Sequence, residues 1–211
     1  MMDDPAVLEG YPTGTVPTEQ VQLVPTSVWQ GRRGRHRTVS DRFAVYGKAF
    51  HVRVILPTIS RKGEEKAPSK RIPSAMVPKL IHHFFCALLY NQALSSHLQC
   101  LACCGSSHKV SFQNDVLPLY QSVESLVNAS CDMHLSTLNL SVAIMNNMGS
   151  IYVALHNMED AQEELERMEY TLEAVEDDDL WLSMAADDLT VFRRTVEGCI
   201  HSLPNVIPLE E

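Results

Sequence analysis

From Lys79 to Leu203 the chain contains a single proline, Pro118, and its other ten prolines all lie outside that stretch. Proline removes a helical hydrogen bond and clashes with the preceding turn, so a long proline-poor stretch is where helices can run. Apolar residues recur there at spacings of three and four, the period of one helix face. Met76, Val77, Leu80, Ile81, Phe84, Leu88, Leu94 and Leu98 predict a helix over 75–103, with Asn91 interrupting the stripe. Val116, Leu119, Tyr120, Val123, Leu126 and Val127 predict a second over 113–130, and Pro118 falls in its first turn, where proline is tolerated. Leu135, Leu138, Val142, Met145, Met148, Tyr152 and Leu155 predict a third over 134–155. Met158, Ala161, Leu165, Met168, Leu172 and Val175 predict a fourth over 158–176. Leu180, Trp181, Met184, Leu189, Phe192, Val196 and Ile200 predict a last helix, capped at its start by the acids at 177–179 and ended by Pro204. The expected fold class is all-α.

The first third of the chain reads differently. Residues 1–37 carry Pro5, Pro12, Pro17 and Pro25 without hydrophobic periodicity, which predicts a disordered arm. In residues 38–56, Ser40 is an N-cap candidate, and Phe43, Tyr46 and Phe50 follow at spacings of three and four. That pattern predicts one short amphipathic helix, although HVRVI at 51–55 also alternates with the period of a strand. Residues 57–74, with Pro57, Gly63, Pro68 and Pro73, read as a linker to a helical domain over 75–203.

Charge is strongly polarised. Residues 32–79 hold 13 of the 17 Lys and Arg and only three acids, whereas residues 158–188 hold 13 of the 26 acids and one base, Arg167. The net charge of -9 argues against a simple nucleic-acid binder, and the acidic block points to a protein or peptide partner with a basic segment. The basic run GRRGRHR at 31–37 suits a linker, an import signal or a phosphate-contacting arm. No run of 18 apolar residues occurs, so no membrane span is expected. The acidic start lacks a basic-then-apolar leader, so the expected location is intracellular, cytoplasmic or nuclear, with the six cysteines reduced.

An internal similarity sharpens the helical reading. YNQALSSHL at 90–98 aligns without gaps on NNMGSIYVA at 146–154, with Asn91 on Asn147 and Ala93 on Gly149. Each segment is followed by another helix, directly after 149 and later after 93, where residues 100–113 form an insertion. At these residues, and above all in NNMGSIYVALHNMEDAQEEL, the chain resembles the tetratricopeptide (TPR) repeat. The resemblance is good over 142–175 and weak over 86–130. It implies helix pairs nested through small residues, with Ala93, Gly149, Tyr152, Ala161 and Leu165 as packing positions and the last helix as a cap. Leu165 stands where the family has an aromatic, Ser96 replaces another in the first unit, and Glu173 stands near the place of the terminal proline. The resemblance also implies a concave groove lined by Tyr90, Leu94, His97, Asn146, Asn147, Ser150 and Val153, where a peptide or partner helix docks. Family members that clamp acidic peptide tails use Lys and Arg there, and these positions carry neither.

Two other readings compete with docking. The spacing from Met158 to Val175 suits a short self-association seam. His97, Cys100, Cys104 and His108 supply four zinc-ligand types, although at a spacing unlike known zinc modules. No motif of a hydrolase, zinc protease, nucleotide-binding loop or dinucleotide-binding fold is found, so neither an enzyme nor a cofactor is expected.

Overall fold

A computed structural model of the chain describes residues 20–26, 45–55, 72–102, 108–129, 135–177 and 186–200. Two strands, β1 (Gln20–Thr26) and β2 (Ala49–Ile55), form an antiparallel pair with Gln20 opposite Ile55 and Thr26 opposite Ala49. A single 3-10 turn (Ser74–Met76) leads into α1 (Val77–Ala102). The one-turn α2 (His108–Ser111) continues through a π-helical turn (Phe112–Val116) into α3 (Leu117–Ala129). Helices α4 (Leu135–Leu155), α5 (Met158–Asp177) and α6 (Ala186–Ile200) follow. The described fold is thus mostly helical with a small two-stranded sheet.

The sheet corrects three expectations. The class is not all-α, and the arm predicted over 1–37 contributes β1; its remaining residues lie outside those described. The short helix predicted over 38–56 is instead extended backbone and β2, and Phe43 lies outside the described residues. The reason is arithmetic. Tyr46 and Phe50 are four apart, which puts them on one face of a helix and equally on one face of a strand, whose period is two. The β-branched and aromatic AFHVRVI tips the choice. Val21, Leu23, Tyr46 and Phe50 face the core, while His51 and Arg53 face solvent.

The helices match the predicted positions closely, but the buried face of α1 does not. Its core side is His83, Cys86, Ala87, Tyr90, Ala93, Leu94 and His97. Of the predicted stripe Met76 and Leu94 are buried, whereas Val77, Ile81, Phe84 and Leu88 are exposed. Pro118 falls in the first turn of α3, as expected, just past the π turn. Its ring cannot accept a normal preceding turn, and Leu117 N–H bonds back to the Phe112 carbonyl, the wider spacing of a π turn.

Between α4 and α5 the chain reverses in two residues. His156 adopts φ 61°, its N–H bonds Val153 O at 3.1 Å, and Asn157 N–H bonds Tyr152 O at 2.9 Å. That is a Schellman cap with histidine in the left-handed position usually given to glycine. Asn157 then caps α5, accepting the Asp160 amide at 3.4 Å and donating to the Asp160 carboxylate at 2.6 Å.

Gly149, Ala93 and Ala161 are all buried. Residues of the strands and of helices α1, α3, α4, α5 and α6 share one apolar core, with Tyr90, Tyr120, Phe192, Leu140, Ile144, Ile151 and Met168 fully buried. Each contributes on the order of 1.5–3 kcal/mol by transfer from water. Helix α4 is long and apolar enough over Thr137–Leu155 to cross a membrane, yet most of it is buried here by its neighbours. Trp181 and Met184, predicted in the last helix, lie outside the described residues.

Candidate functional site: an extended segment held by two asparagines

Sheet and helices meet where β2 lies against α1, β1 against α4, and the residues before β2 reach α4. Two asparagine side chains make the junction. Asn91 Oδ1 accepts the Phe50 N–H at 2.8 Å, and Asn91 Nδ2 donates to the Phe50 carbonyl at 2.8 Å. Asn147 Oδ1 accepts the Tyr46 N–H at 2.8 Å, and Asn147 Nδ2 lies 3.3 Å from the Tyr46 carbonyl. A carboxamide has the donor and acceptor of a peptide group, so each asparagine substitutes for a neighbouring strand. Pro25 stands opposite Phe50 in the register, a place where proline costs no ladder bond because the Phe50 amide points to Asn91.

The rings and the charge between those two positions are also held. The Phe50 ring meets Tyr90 edge-on at 5.1 Å, and Tyr46 lies 4.8 Å from Phe192 of α6. Lys48 forms an ion pair with Asp188, whose side chain is 1% exposed. A buried carboxylate is tolerated only with such a partner. The Tyr46 hydroxyl and the Asp188 carboxylate are both buried and face each other, and the Tyr46 hydroxyl and Asp188 Oδ2 meet no further hydrogen-bond partner among the described residues. Burial, and next the Asp188 charge, push the Tyr46 phenol well above its ordinary range.

Beneath the strand lies a polar network. Asn147 Nδ2 is 3.1 Å from both the Tyr90 and Tyr120 hydroxyls, Tyr90 donates to the Tyr46 carbonyl at 3.2 Å, and Asn146 donates to Asn147 Oδ1 at 3.1 Å. Burial raises both phenols. The His97 ring nitrogens lie 3.4 Å from the Tyr120 hydroxyl and 3.5 Å from the Ser150 hydroxyl. Burial pushes the His97 imidazole down to about 4. On another side, Arg167 forks across both oxygens of Glu164 and reaches Glu124 of α3. Burial lifts the Glu164 carboxyl to about 7 even with Arg167 beside it.

The seven residues expected to line an open groove are therefore not open. Tyr90 and Asn147 touch the chain's own strand, Asn146 supports Asn147, and His97 and Ser150 meet beneath them. Leu94 is buried and Val153 half-buried. The packing positions Ala93, Gly149, Tyr152, Ala161 and Leu165 are all buried. Of the four zinc-ligand candidates, His97 already faces two hydroxyls and Cys100 is half-buried. The Cys104 and His108 side chains lie outside the described residues. The self-association seam is turned inward, because Ala161, Leu165, Met168 and Leu172 are core.

Sequence reasoning paired Asn91 with Asn147 by the internal alignment but missed their ligand. It missed Tyr46, Lys48 and Phe50 as that ligand, and Asp188 as the counter-charge, since one buried acid among many exposed ones carries no local mark. Comparison with family models, curated proteins and solved structures finds no match to the chain.

Proposed function

We propose that the chain is a non-enzymatic docking module built on TPR-like helix pairs, α1 with α3 and α4 with α5, and that the face formed by α1 and α4, the first helix of each pair, binds an extended segment. One observation carries the reading: Asn91 and Asn147, aligned with each other in the internal similarity, each take both backbone groups of one residue, Phe50 in β2 and Tyr46 in the extended residues just before it. Backbone capture by side-chain amides is indifferent to sequence, so it is a means of holding strands in general. Specificity comes from what surrounds it. The occupant carries an aromatic, a lysine and an aromatic at alternate positions, Tyr46, Lys48 and Phe50, met by Phe192, Asp188 and Tyr90. A partner segment with that pattern exchanges with the chain's own strand, and the acids of α5 and α6 steer its basic residue inward.

The test uses a fluorescent peptide of residues 44–55 and the full chain. Tyr46→Ala/Phe50→Ala in the chain loosens the internal strand, and the peptide is expected to bind that variant at least tenfold more tightly than the unaltered chain. Adding Asn91→Ala/Asn147→Ala should abolish binding. Equal, weak binding by all three, with helical content retained, rejects the proposal.

A further inference from the structure

Helix α1 has a second apolar face that no other described residue covers. Val77, Ile81, Phe84, Phe85 and Leu88 are exposed by 39, 50, 56, 51 and 50%. Their spacing of four, three and four from Val77 through Ile81 and Phe84 to Leu88 makes one continuous stripe over three turns, with Phe85 alongside. Further along that side Gln92, Ser95 and Gln99 are polar, so the stripe is confined to the first half of the helix. Large aromatic and aliphatic side chains half-exposed in this number leave about 500 Å² of apolar surface, the upper end of what a monomer shows. Two such faces together bury about 1,000 Å², the lower bound of a specific interface.

We infer that this face pairs with the same face of a second copy, the two α1 helices running antiparallel. Charge decides both points. Among the 26 residues of α1 the one charged side chain is Lys79, so the stripe offers nothing for a charged partner to read and nothing for an identical copy to repel. The acidic block lies on α5 and α6 instead. The stripe from Val77 to Leu88 is centred between His82 and His83, so an antiparallel pair places Val77 of each copy opposite Leu88 of the other and Ile81 opposite Phe84. The two Lys79 ammonium groups then stand about 10 Å apart along the axis, beyond the screening length of about 8 Å at physiological salt. A parallel pair would set them side by side. Of the strand-binding site, Tyr90 lies on the buried side of α1, whereas the half-buried Asn91 borders the stripe three residues beyond Leu88.

The full-length chain is examined by sedimentation equilibrium from about 1 to about 100 µM, with circular dichroism as the check on folding. A monomer–dimer equilibrium is expected. Ile81→Lys alone and Phe84→Glu alone should each weaken it at least tenfold with helical content unchanged. Mixed in equal amounts, the two variants should recover a dimer, because in the antiparallel register the introduced lysine meets the introduced glutamate. A monomer at every concentration overturns the inference, as does a dimer that both substitutions leave intact. Recovery failing in the mixture overturns the antiparallel register. Loss of helix in the single variants shows that another segment of the chain covers the face, and overturns the inference as well.

Discussion

Asn147 holds Tyr46 by both of its backbone groups across 101 positions of the chain, with the Tyr46 amide 2.8 Å from Asn147 Oδ1. Its amide nitrogen also faces the hydroxyls of Tyr90 and Tyr120, so one fully buried side chain joins strand, α1, α3 and α4. Removing it leaves several buried polar groups without partners, each costing about 1–3 kcal/mol. Asn147→Ala should therefore lower the unfolding free energy by about 3 kcal/mol, and Asn91→Ala, on a half-buried side chain, by about 2 kcal/mol. The double variant should lose less than the sum, because the strand is already released by the first change. Urea melts of the four chains decide this; strict additivity would show that the two asparagines do not act on one strand.

The turn at His156 offers a stabilising change. A histidine at φ 61° bears the clash between its Cβ and backbone that glycine lacks. The two Schellman hydrogen bonds fix that conformation whatever the side chain is. His156→Gly should gain up to about 1 kcal/mol, seen as a rise in Tm, while His156→Val should lose at least as much. A fall in Tm for the glycine variant would mean that the histidine side chain itself is stabilising.

How much of this was legible in the sequence follows from what each residue does. Helix positions were legible because leucine, methionine and valine repeat faithfully in α4 and α5, and because Asn157 and Asp160 mark a helix start. The inner face of α1 was not. There the packing is done by His83, Cys86, Ala87, Tyr90, Ala93 and His97, small or polar-tipped residues that score poorly as apolar, while the stronger stripe faces out. The sheet was not legible because Tyr46 and Phe50 fit two periods equally, and because β1 lies in a stretch that reads as proline-rich linker. The equivalence of Asn91 and Asn147 could be read from alignment, but the groups they bind belong to a backbone, which leaves no trace in side-chain chemistry.

Two buried groups should give the chain opposed pH dependences. His97 ionises near 6.5 when unfolded and near 4 when folded, so between those values the unfolded chain binds the extra proton. Its contribution is present above pH 6.5 and is lost as pH falls through 4. Glu164 ionises near 4.5 unfolded and about 7 folded, so the folded chain holds the extra proton. Its contribution is present below pH 4.5 and lost as pH rises through 7. Each amounts to at most about 3 kcal/mol, and they offset between pH 4.5 and 6.5. Tm measured from pH 5 to 7.5 should vary little for the unaltered chain. His97→Gln should make it rise on acidification, and Glu164→Gln should make it fall. Parallel profiles for all three chains would contradict both assignments.

The ion pair of Lys48 and Asp188 is the sharpest probe of how the strand is anchored. Asp188 is fully buried and faces the Tyr46 hydroxyl, whereas the Lys48 side chain is one-third exposed. The attraction alone is therefore worth little, since solvent reaches the lysine. The carboxylate left behind is what matters. Lys48→Met strands a buried charge and should cost about 3 kcal/mol. Asp188→Asn, which removes that charge and leaves the lysine free to reach water, should cost less. Lys48→Met/Asp188→Leu should recover part of the loss of Lys48→Met, because an apolar pair needs no compensation in that position. Denaturant melts of the three variants give the order directly. If Asp188→Asn is the more damaging single change, then Asp188 supports α6 through its own contacts and the lysine of the strand is incidental to it.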